Sequence, residues 1–250
     1  MLLHGLMILV LLLPAVVHAA VVKVCAEAWP PFLYRDDAGR VAGMAASWIA
    51  QAASKQHVRV QYQFLSLQAC RKLAASGGTD ALAFTPSKEQ LEGWLLTKQP
   101  MVFWVLSAFV PYHSPHKAFS SLSQFSGLRV GWGQHYRYPD RLVLQSGWSR
   151  VPAYDAEALF TLLIRNKIDV VFEDERYVAS SLPLQSRRLM RALHPVAASM
   201  PQPVAVRPGL AGFAQALDDE ALRWQRSGQL DYFYRTQYGV SLATIQAAGD

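Results

Sequence analysis

Short β-type runs and helix-type runs alternate along the chain after residue 20. Residues 21–26 are apolar and rich in β-branched side chains, which predicts a first strand. Pro30 and Pro31 cannot belong to a central strand, because proline donates no hydrogen bond to a sheet. The same criteria predict helices over 41–56 and 67–76 and strands over 58–64 and 80–84. The order strand, helix, strand, helix, strand is typical of a parallel sheet covered by helices.

A second unit of the same kind begins near residue 128. A long β-rich segment, 101–110, leads into the proline-containing stretch 111–115. Beyond it the pattern predicts strands over 128–132, 168–172 and 201–206, and helices over 139–145, 156–166, 210–226 and 230–238. The sequence therefore predicts an α/β protein of two lobes. Residues 20–110 plus 201–250 are expected in the first, discontinuous lobe and residues 111–200 in the second.

The N-terminal residues differ from the rest because none of the first twenty is Asp, Glu, Lys or Arg. Residues 6–17 form an almost unbroken apolar run, which ends in Val17-His18-Ala19-Ala20. The run is shorter than the roughly 20 residues that a membrane-spanning helix needs, and the small residues favour cleavage after Ala19. We expect a signal peptide at 1–19 and export to the periplasm. The alternative is an uncleaved membrane anchor.

The charge balance of the chain bears on its partners. Lysine and arginine number 24 against 18 acidic residues, a net charge of +6, and such a balance raises nucleic acid as a partner. Export, the lack of a Lys/Arg run and the scatter of acids argue against it, so we expect no nucleic-acid partner.

In an oxidising compartment Cys25 and Cys70 are expected to form a disulfide. The alternative is two buried free thiols.

The sequence offers no recognisable catalytic or metal-binding motif. His113 and His116 are three residues apart, but the intervening Ser114-Pro115 favours a loop over a helix face that could hold a metal ion. We therefore expect no catalytic residues, no metal and no cofactor.

Six stretches, in the same order, resemble the family of bacterial periplasmic solute-binding proteins (family 3) whose best-known members bind polar amino acids. They span nearly all of the chain after the leader, and each alone is a weak signal. The stretches are Trp29-Pro30-Pro31-Phe32 with Asp37, Gly39 and Gly43; Arg71-Lys72-Leu73 with Gly77-Gly78-Thr79-Asp80; Leu96-Thr97 with Pro100-Met101; Gly127-Leu128-Arg129-Val130-Gly131; the segment from Asn166 to Asp174; and Arg226-Ser227-Gly228-Gln229-Leu230 with Tyr238-Gly239.

The resemblance implies a clamp with a type II-like periplasmic binding-protein fold. Two lobes joined by two crossover segments would close over one small polar or zwitterionic ligand, since hinge closure buries a ligand between rigid lobes. The closed form would then dock on an inner-membrane ABC permease. A clamp that opens and closes works as a single chain, so we expect a monomer.

Members of that family hold the ligand carboxylate with an arginine after the third strand, and this chain departs from the pattern. The arginine position falls on Gln90, and Lys88 is the only cation in that segment of the sequence. Glutamine supplies no charge, and lysine lacks the planar fork that pairs with a carboxylate. Arg137 is the candidate substitute, because it precedes a predicted helix N-terminus, which favours an anion. The alternative is a solvated surface arginine.

The family's second ligand contact is an acid at the end of a strand of the second lobe, which holds the amino group. Asp174 aligns with this acid. The alternative for Asp174 is the N-cap of a helix that begins near Glu175, a position that aspartate suits well. A small slip of the alignment would bring Glu173 or Glu175 to the same place.

Aromatic side chains are expected to complete the ligand site. Trp29 and Tyr34 fall on the loop after the first strand, and Trp132 ends the corresponding strand of the second lobe. Such rings stack on a planar ligand or hold a cation. Phe84 and Thr85 occupy the segment whose backbone meets the ligand in the family. The alternative for the rings is packing in the lobe cores.

Three other functions stay open on the sequence alone. The same clamp serves as a ligand-sensing module for a membrane sensor. A few relatives of the family use the cleft as a dehydratase site for cyclic acids, which needs a positioned acid or base. A pair of lobes with a degenerate cleft would act only as a structural or protein-binding module.

Overall fold

The computed structural model describes residues 19–85 and 91–249 of the chain. The expected leader, apart from Ala19, lies outside these residues, as do Lys88 and Gln90. The strands are β1 (Val21–Ala26), β2 (Tyr34–Arg35), β3 (Val41–Ala42), β4 (Arg59–Phe64), β5 (Ala81–Ala83), β6 (Leu95–Leu96), β7 (Phe103–Pro111), β8 (Arg129–Gly133), β9 (Ser149–Ala153), β10 (Val171–Asp174), β11 (Met190–Pro201) and β12 (Ala205–Val206).

The helices cover the faces of the sheets. They are α1 (Met44–Lys55), α2 (Leu67–Ala75), α3 (Asp140–Val143), α4 (Ala156–Ile164), α5 (Glu175–Ser181), α6 (Leu184–Arg187), α7 (Ala211–Arg226), α8 (Gln229–Tyr238) and α9 (Leu242–Ala247), with short 3₁₀ turns at Leu122–Phe125 and Pro208–Leu210. Among the helices that the structure describes, none has both the length and the apolarity required to cross a bilayer.

The first lobe is built on a sheet with the strand order β4-β1-β5-β12-β6. Strand β1 is parallel to both β4 and β5, while β12 is antiparallel to its neighbours. Helix α1 packs on α7 through an apolar face in which Trp48 and Ile49 are fully buried. The indole N–H of Trp48 donates to the carbonyl of Leu217 at 2.8 Å, so this large core side chain also has its polar atom satisfied.

The second lobe repeats the arrangement. Strands β8 and β9 are parallel, β10, β7 and β11 follow in antiparallel order, and a bridge between Val130 and Val170 joins the two groups. Phe125 and Phe172 are fully buried in its core, with ring centroids 5.7 Å apart. The fold is therefore the predicted α/β class with two lobes.

Two long antiparallel strands, β7 and β11, connect the lobes. On one face of β7, Phe103 and Val105 pack in the core of the first lobe, while Phe109 packs in the second. Side chains on the same face of a strand are two residues apart, so the strand passes from one core to the other along its length. These strands correspond to the two expected crossovers. The lobe boundaries near 110 and 200 fall at their ends and stay predictions.

The predicted disulfide is confirmed. Cys25 in β1 and Cys70 in α2 are bonded, with Cα atoms 5.5 Å apart and a sequence separation of 45 residues. In the chain-entropy model, closing such a loop stabilises a protein by about 4 kcal/mol. Both residues are fully buried, together with Leu82 of β5, so the bond fixes α2 against the first sheet.

Strand β11 is the largest difference from the sequence pattern. The return strand was predicted at 201–206, but the chain returns through β11, and only Ala205 and Val206 are paired in β12. Residues of β11 show no alternation of apolar and polar side chains, and its pairing with β7 shifts in register between Leu193 and Ala198. The extended structure of β11 therefore depends on its pairing with the distant strand β7. Strand β9 was missed for the same reason.

The predicted helix over 41–56 begins three residues late because of a glycine. Val41 and Ala42 form β3 with β2, and Gly43 follows with a φ of 109°. A Cβ atom on Gly43 would lie 2.3 Å from the carbonyl oxygen of Phe32, which is far inside van der Waals contact. The chain turns at Gly43 in a conformation that only glycine adopts easily, and α1 starts at Met44.

Candidate functional site

A cavity of about 140 Å³ lies between the two lobes. Residues of both lobes line the cavity. The carboxyl ends of the central strands of each lobe face the cleft. Clefts at this edge of an α/β sheet are the usual ligand sites. The lining residues are Glu27, Ala28, Trp29, Leu67, Arg71 and Phe84 from the first lobe, His135, Tyr136, Arg137, Glu173 and Tyr177 from the second, and Trp104, Met200 and Gln202 from the connecting segments.

One part of the cavity holds two acids. Glu27 follows β1 and is exposed at the cleft, although partial desolvation of its carboxyl group raises its pKa above the ordinary value. Glu173, in β10, is almost completely buried, and burial raises its pKa to about 8. Its Oε1 accepts hydrogen bonds from the indole N–H of Trp104 and from the backbone N–H of Asp174, both at 2.9 Å. Its Oε2 is buried without a hydrogen-bond partner among the described residues. Glu173 is therefore mostly a neutral carboxylic acid at pH 7.

A second part of the cavity holds two arginines. Arg71 is on α2 of the first lobe, and Arg137 is in the segment between β8 and α3 of the second. Burial and the nearby charge of Arg137 lower the pKa of Arg71 below its ordinary value. The two guanidinium groups are thus close enough to repel each other across the cleft. An anionic group between them would offset that repulsion and receive planar donors from both lobes.

Aromatic rings form the walls between the charged groups. Trp29 contacts Phe84 edge to face with ring centroids 6.2 Å apart, and Trp104 contacts Tyr136 in the same way at 5.4 Å. Burial, followed by the charge of Glu173, raises the pKa of Tyr136 and also that of Tyr177, so both phenols are neutral at pH 7. These rings offer apolar faces and a few polar edges to a ligand.

Three of the seven sequence-predicted ligand residues, Trp29, Phe84 and Arg137, line this cavity. The other four are placed elsewhere in the described part of the chain. Tyr34 is in β2, and Thr85 is buried, with its N–H donating to the carbonyl of Pro203 at 3.0 Å. The Trp132 ring packs at a tilt of 38° against that of Tyr138, with centroids 4.1 Å apart, and the Arg150 guanidinium lies 4.5 Å from the Trp132 ring centre.

Asp174 is the N-cap of α5, which is the alternative role that the sequence offered for it. Its Oδ1 accepts hydrogen bonds from the backbone N–H groups of Arg176 and Tyr177 at 2.7 and 3.3 Å. Its Oδ2 accepts from the hydroxyl of Tyr238 at 2.9 Å. The side chain is fully buried, and this burial raises its pKa to about 7. Because successive side chains of a strand point to opposite faces, Glu173 faces the cavity and Asp174 does not.

Several lining residues were not singled out from the sequence. Glu27 carried a weak signal, since it directly follows a predicted strand. Arg71 also carried a weak signal, because it lies four residues after Leu67 in a predicted helix and therefore on the same helix face. Leu67 and Arg71 both line the cavity. Trp104, Met200 and Gln202 carried none, since only the pairing of β7 with β11 brings them to the cleft.

The two lobes touch at the cavity and beside it. The Gln68 amide nitrogen lies 3.3 Å from Nδ1 of His135, and the hydroxyl of Tyr238 reaches Asp174. Arg141 donates to the carbonyl of Ala248 at 2.9 Å. Within residues 19–85 and 91–249, no three His, Cys, Asp or Glu side chains are grouped so as to hold a metal ion.

Solved structures define the class of fold to which this arrangement belongs. The chain is similar to an ancestral arginine-binding protein bound to glutamine (TM-score 0.65, 18% identity, 89% of this chain and 100% of that chain). It is also similar to the substrate-binding protein of an amino acid ABC transporter (TM-score 0.63, 15% identity, 88% and 100%). A third is the probable amino-acid ABC transporter extracellular-binding protein ytmK from Bacillus subtilis (TM-score 0.70, 12% identity, 89% and 99%).

The chain therefore has the two-lobed fold of amino-acid ABC transporter substrate-binding proteins. At these identities the likeness concerns the fold. No protein-family model and no curated protein matches the sequence.

Proposed function

We propose that this chain is a periplasmic solute-binding protein that clamps a small zwitterionic, amino-acid-like ligand between its lobes and delivers it to an inner-membrane ABC permease. The observation that carries the proposal is the composition of the interlobe cavity, in which two arginines, the buried Glu173 and the exposed Glu27 line one cleft. A ligand with separate positive and negative ends suits these two pairs. The transport part is supported by the fold shared with binding proteins of amino-acid ABC transporters.

The ligand carboxylate is proposed to lie between Arg71 and Arg137. This pair replaces the arginine that the family places after the third strand, with one guanidinium from each lobe. Binding the carboxylate would therefore draw the lobes together, because the contact is complete only when the clamp is closed.

The ligand amino group is proposed to contact Glu173. Its Oε2 lacks a hydrogen-bond partner among the described residues, and Glu27 is a second acid in the same cavity. A cationic ammonium favours the charged carboxylate and lowers the pKa of Glu173. Ligand binding at pH 7 would then release a proton from this residue. Asp174 contributes indirectly in this proposal, since it fixes the first turn of α5 and so the position of Tyr177.

The size of the cavity limits the ligand. An apolar cavity of about 150 Å³ accepts benzene, so a space of about 140 Å³ fits a small molecule of about that size. Trp29 and Phe84 are proposed to contact its apolar part. Tyr34, Thr85 and Trp132 are proposed to support the surrounding loops.

Thermal unfolding against a panel of amino acids, amines and organic acids tests this function. A zwitterionic ligand at 100 times its dissociation constant should add about 2.7 kcal/mol to the free energy of unfolding, which is a shift of several degrees at this chain length. Matched organic acids and amines that lack the opposite charge should shift the midpoint much less. A panel without any shift would contradict the proposal.

Two variants test the carboxylate site. Arg71→Ala should weaken binding of that ligand about 30-fold, because truncating one partner of a charge pair that the ligand buries costs roughly 2 kcal/mol. Arg137→Ala should weaken it less, because Arg137 is exposed. Arg165→Ala, at an exposed position after α4, is the control and should bind normally. Wild-type affinity in both cavity variants would remove this assignment.

A further inference from the structure

One end of the second lobe's sheet carries exposed apolar side chains among arginines. The surface consists of Tyr112, Leu184, Arg187, Arg188, Leu189 and Arg191, and we refer to it as the lobe-2 tip. Tyr112, Leu184 and Leu189 are 63%, 56% and 53% exposed, although such side chains are usually buried.

The pairing of β7 with β11 brings the residues of the lobe-2 tip together. Met190 is the register partner of Pro111, so Leu189 before β11 lies beside Tyr112 after β7. The backbone N–H of Tyr112 donates to the carbonyl of Leu189 at 2.8 Å. Helix α6 ends just before this point and contributes Leu184 and Arg187.

Arg191 holds the exposed ring of Tyr112 in place. Its guanidinium lies 4.4 Å from the ring centre and donates a hydrogen bond to the Tyr112 carbonyl. The aromatic ring and the cation therefore form one unit with an apolar body and a charged edge. Such a unit is suited to a boundary between water and an apolar phase.

The sequence around the lobe-2 tip contains no acidic residue. Residues 93–139 and 176–217 include neither Asp nor Glu. The acid that precedes the second stretch, Glu175, accepts a hydrogen bond from Ser107 at 2.5 Å and lies 3.5 Å from His194. Arg188 is exposed and Arg187 and Arg191 are half-buried, and together they place positive charge at the tip.

We propose that the lobe-2 tip binds the anionic phospholipid headgroups of a membrane surface. Clustered arginines attract an anionic lipid surface, and leucine and tyrosine side chains enter the headgroup layer without a shaped pocket. An acidic protein partner would instead need pockets complementary to two leucines that project among charges. The inference rests on residues outside the cavity and holds whether or not the proposed ligand is correct.

Vesicle co-sedimentation tests the proposal. The protein is purified from the periplasmic fraction, and mass spectrometry verifies that residues 1–19 are absent, since an apolar leader would itself bind lipid. We expect binding to vesicles of phosphatidylglycerol and phosphatidylcholine, none to phosphatidylcholine alone, and loss of binding at high salt. Equal binding to both vesicle types, or to neither, would overturn the proposal.

Variants assign the binding to the tip. Each arginine removed should lower the partition coefficient about fivefold, so Arg187→Ala/Arg188→Ala should lower it about 25-fold without disturbing the Arg191–Tyr112 unit. Leu184→Ser/Leu189→Ser should also weaken binding. Arg165→Ala/Lys167→Ala, two exposed cations of the same lobe, is the charge-matched control and should retain binding. Undiminished binding by the arginine variant, or an equal loss in the control, would contradict the assignment.

Soluble polyglutamate distinguishes an acidic macromolecule from lipid. For a lipid site it should compete weakly, and the leucine variant should bind vesicles less well than wild type. Full displacement by polyglutamate together with unchanged vesicle binding of the leucine variant would overturn the lipid assignment.

Discussion

Two neighbouring carboxyl groups, Glu173 and Asp174, have different roles because they lie on opposite faces of one strand. Both are buried, and burial raises both pKa values. Within the described part of the chain, the Asp174 carboxylate accepts two hydrogen bonds from the start of α5 and one from Tyr238. Glu173, which lines the cavity, has one oxygen hydrogen-bonded and the other buried without a partner among the described residues. The geometry therefore favours Glu173 for contact with a ligand and Asp174 for holding the fold.

Glu173→Gln should reduce the pH dependence of stability. The pKa of Glu173 rises from 4.5 to about 8 on folding, so between these values the folded chain holds a proton that the unfolded chain has lost. Stability therefore falls as pH rises through this window, by up to about 1.4 kcal/mol per pH unit for one proton. Glutamine mimics the neutral acid and removes this contribution.

Denaturant unfolding of both proteins at several values between pH 5 and pH 8 measures the effect. Asp174 still titrates in the variant, so the slope should fall and not vanish. Glu157→Gln, an exposed position on α4, is the control. A Glu173→Gln variant with the wild-type slope would show that Glu173 is charged in the folded protein throughout this range.

Helix α2 shows how a single element links stability to the site. The Ser66 side chain caps its N-terminus by accepting from the N–H of Ala69, and Cys70 binds the helix to β1. Arg71 is the next residue and lines the cavity. The disulfide thus fixes the element that carries one of the two proposed carboxylate contacts.

Removing the disulfide should lower stability and loosen this contact. Cys25→Ala/Cys70→Ala is expected to lose about 4 kcal/mol of unfolding free energy, measured by denaturant unfolding. Ligand affinity should also fall, since Arg71 is held less firmly. A reducing agent should destabilise the wild type and leave the double variant unchanged. Equal stability of the variant and the oxidised wild type would contradict the expectation.

At the scale of the whole molecule, the lobes are joined by the paired strands β7 and β11 and by a few polar contacts beside the cleft. The bond from Tyr238 of the first lobe to Asp174 of the second is the most buried of these contacts that we describe. In the proposed clamp, such contacts would bias the balance between open and closed forms, because they exist only when the lobes are together.

Tyr238→Phe should shift that balance toward the open form. It removes the interlobe hydrogen bond, retains the ring, and leaves Asp174 with one donor fewer, at a cost of about 1–3 kcal/mol. Small-angle X-ray scattering of the ligand-free protein should then give a larger radius of gyration.

Tyr234→Phe is the matched control for this shift. The Tyr234 hydroxyl bonds to the backbone of Met101 and Phe103 in the core of the first lobe. Its loss should lower stability by a similar amount without changing the radius. The same radius for wild type and Tyr238→Phe would show that this contact does not hold the lobes together.

Much of this molecule could be predicted from local sequence patterns. The run of β1 matches its prediction residue for residue, and α2 and α8 differ from theirs by one residue at one end. Two cysteines allow one pairing, so the disulfide could be predicted as well. Periodicity, capping residues and glycines act over a few neighbouring positions, and the order of the resulting elements is sufficient for the two-lobed α/β class.

The tertiary structure decided the features that depend on distant segments. Strands β9 and β11 form because partners elsewhere in the chain supply their hydrogen bonds. Trp104 and Met200 line the cavity only because β7 pairs with β11. The choice of Glu173 over Asp174 depends on which face of β10 is turned to the cleft, and a one-residue change of register inverts that choice. The sequence alone thus determines the elements and the class of fold, while long-range pairing and packing determine which side chains meet at the site.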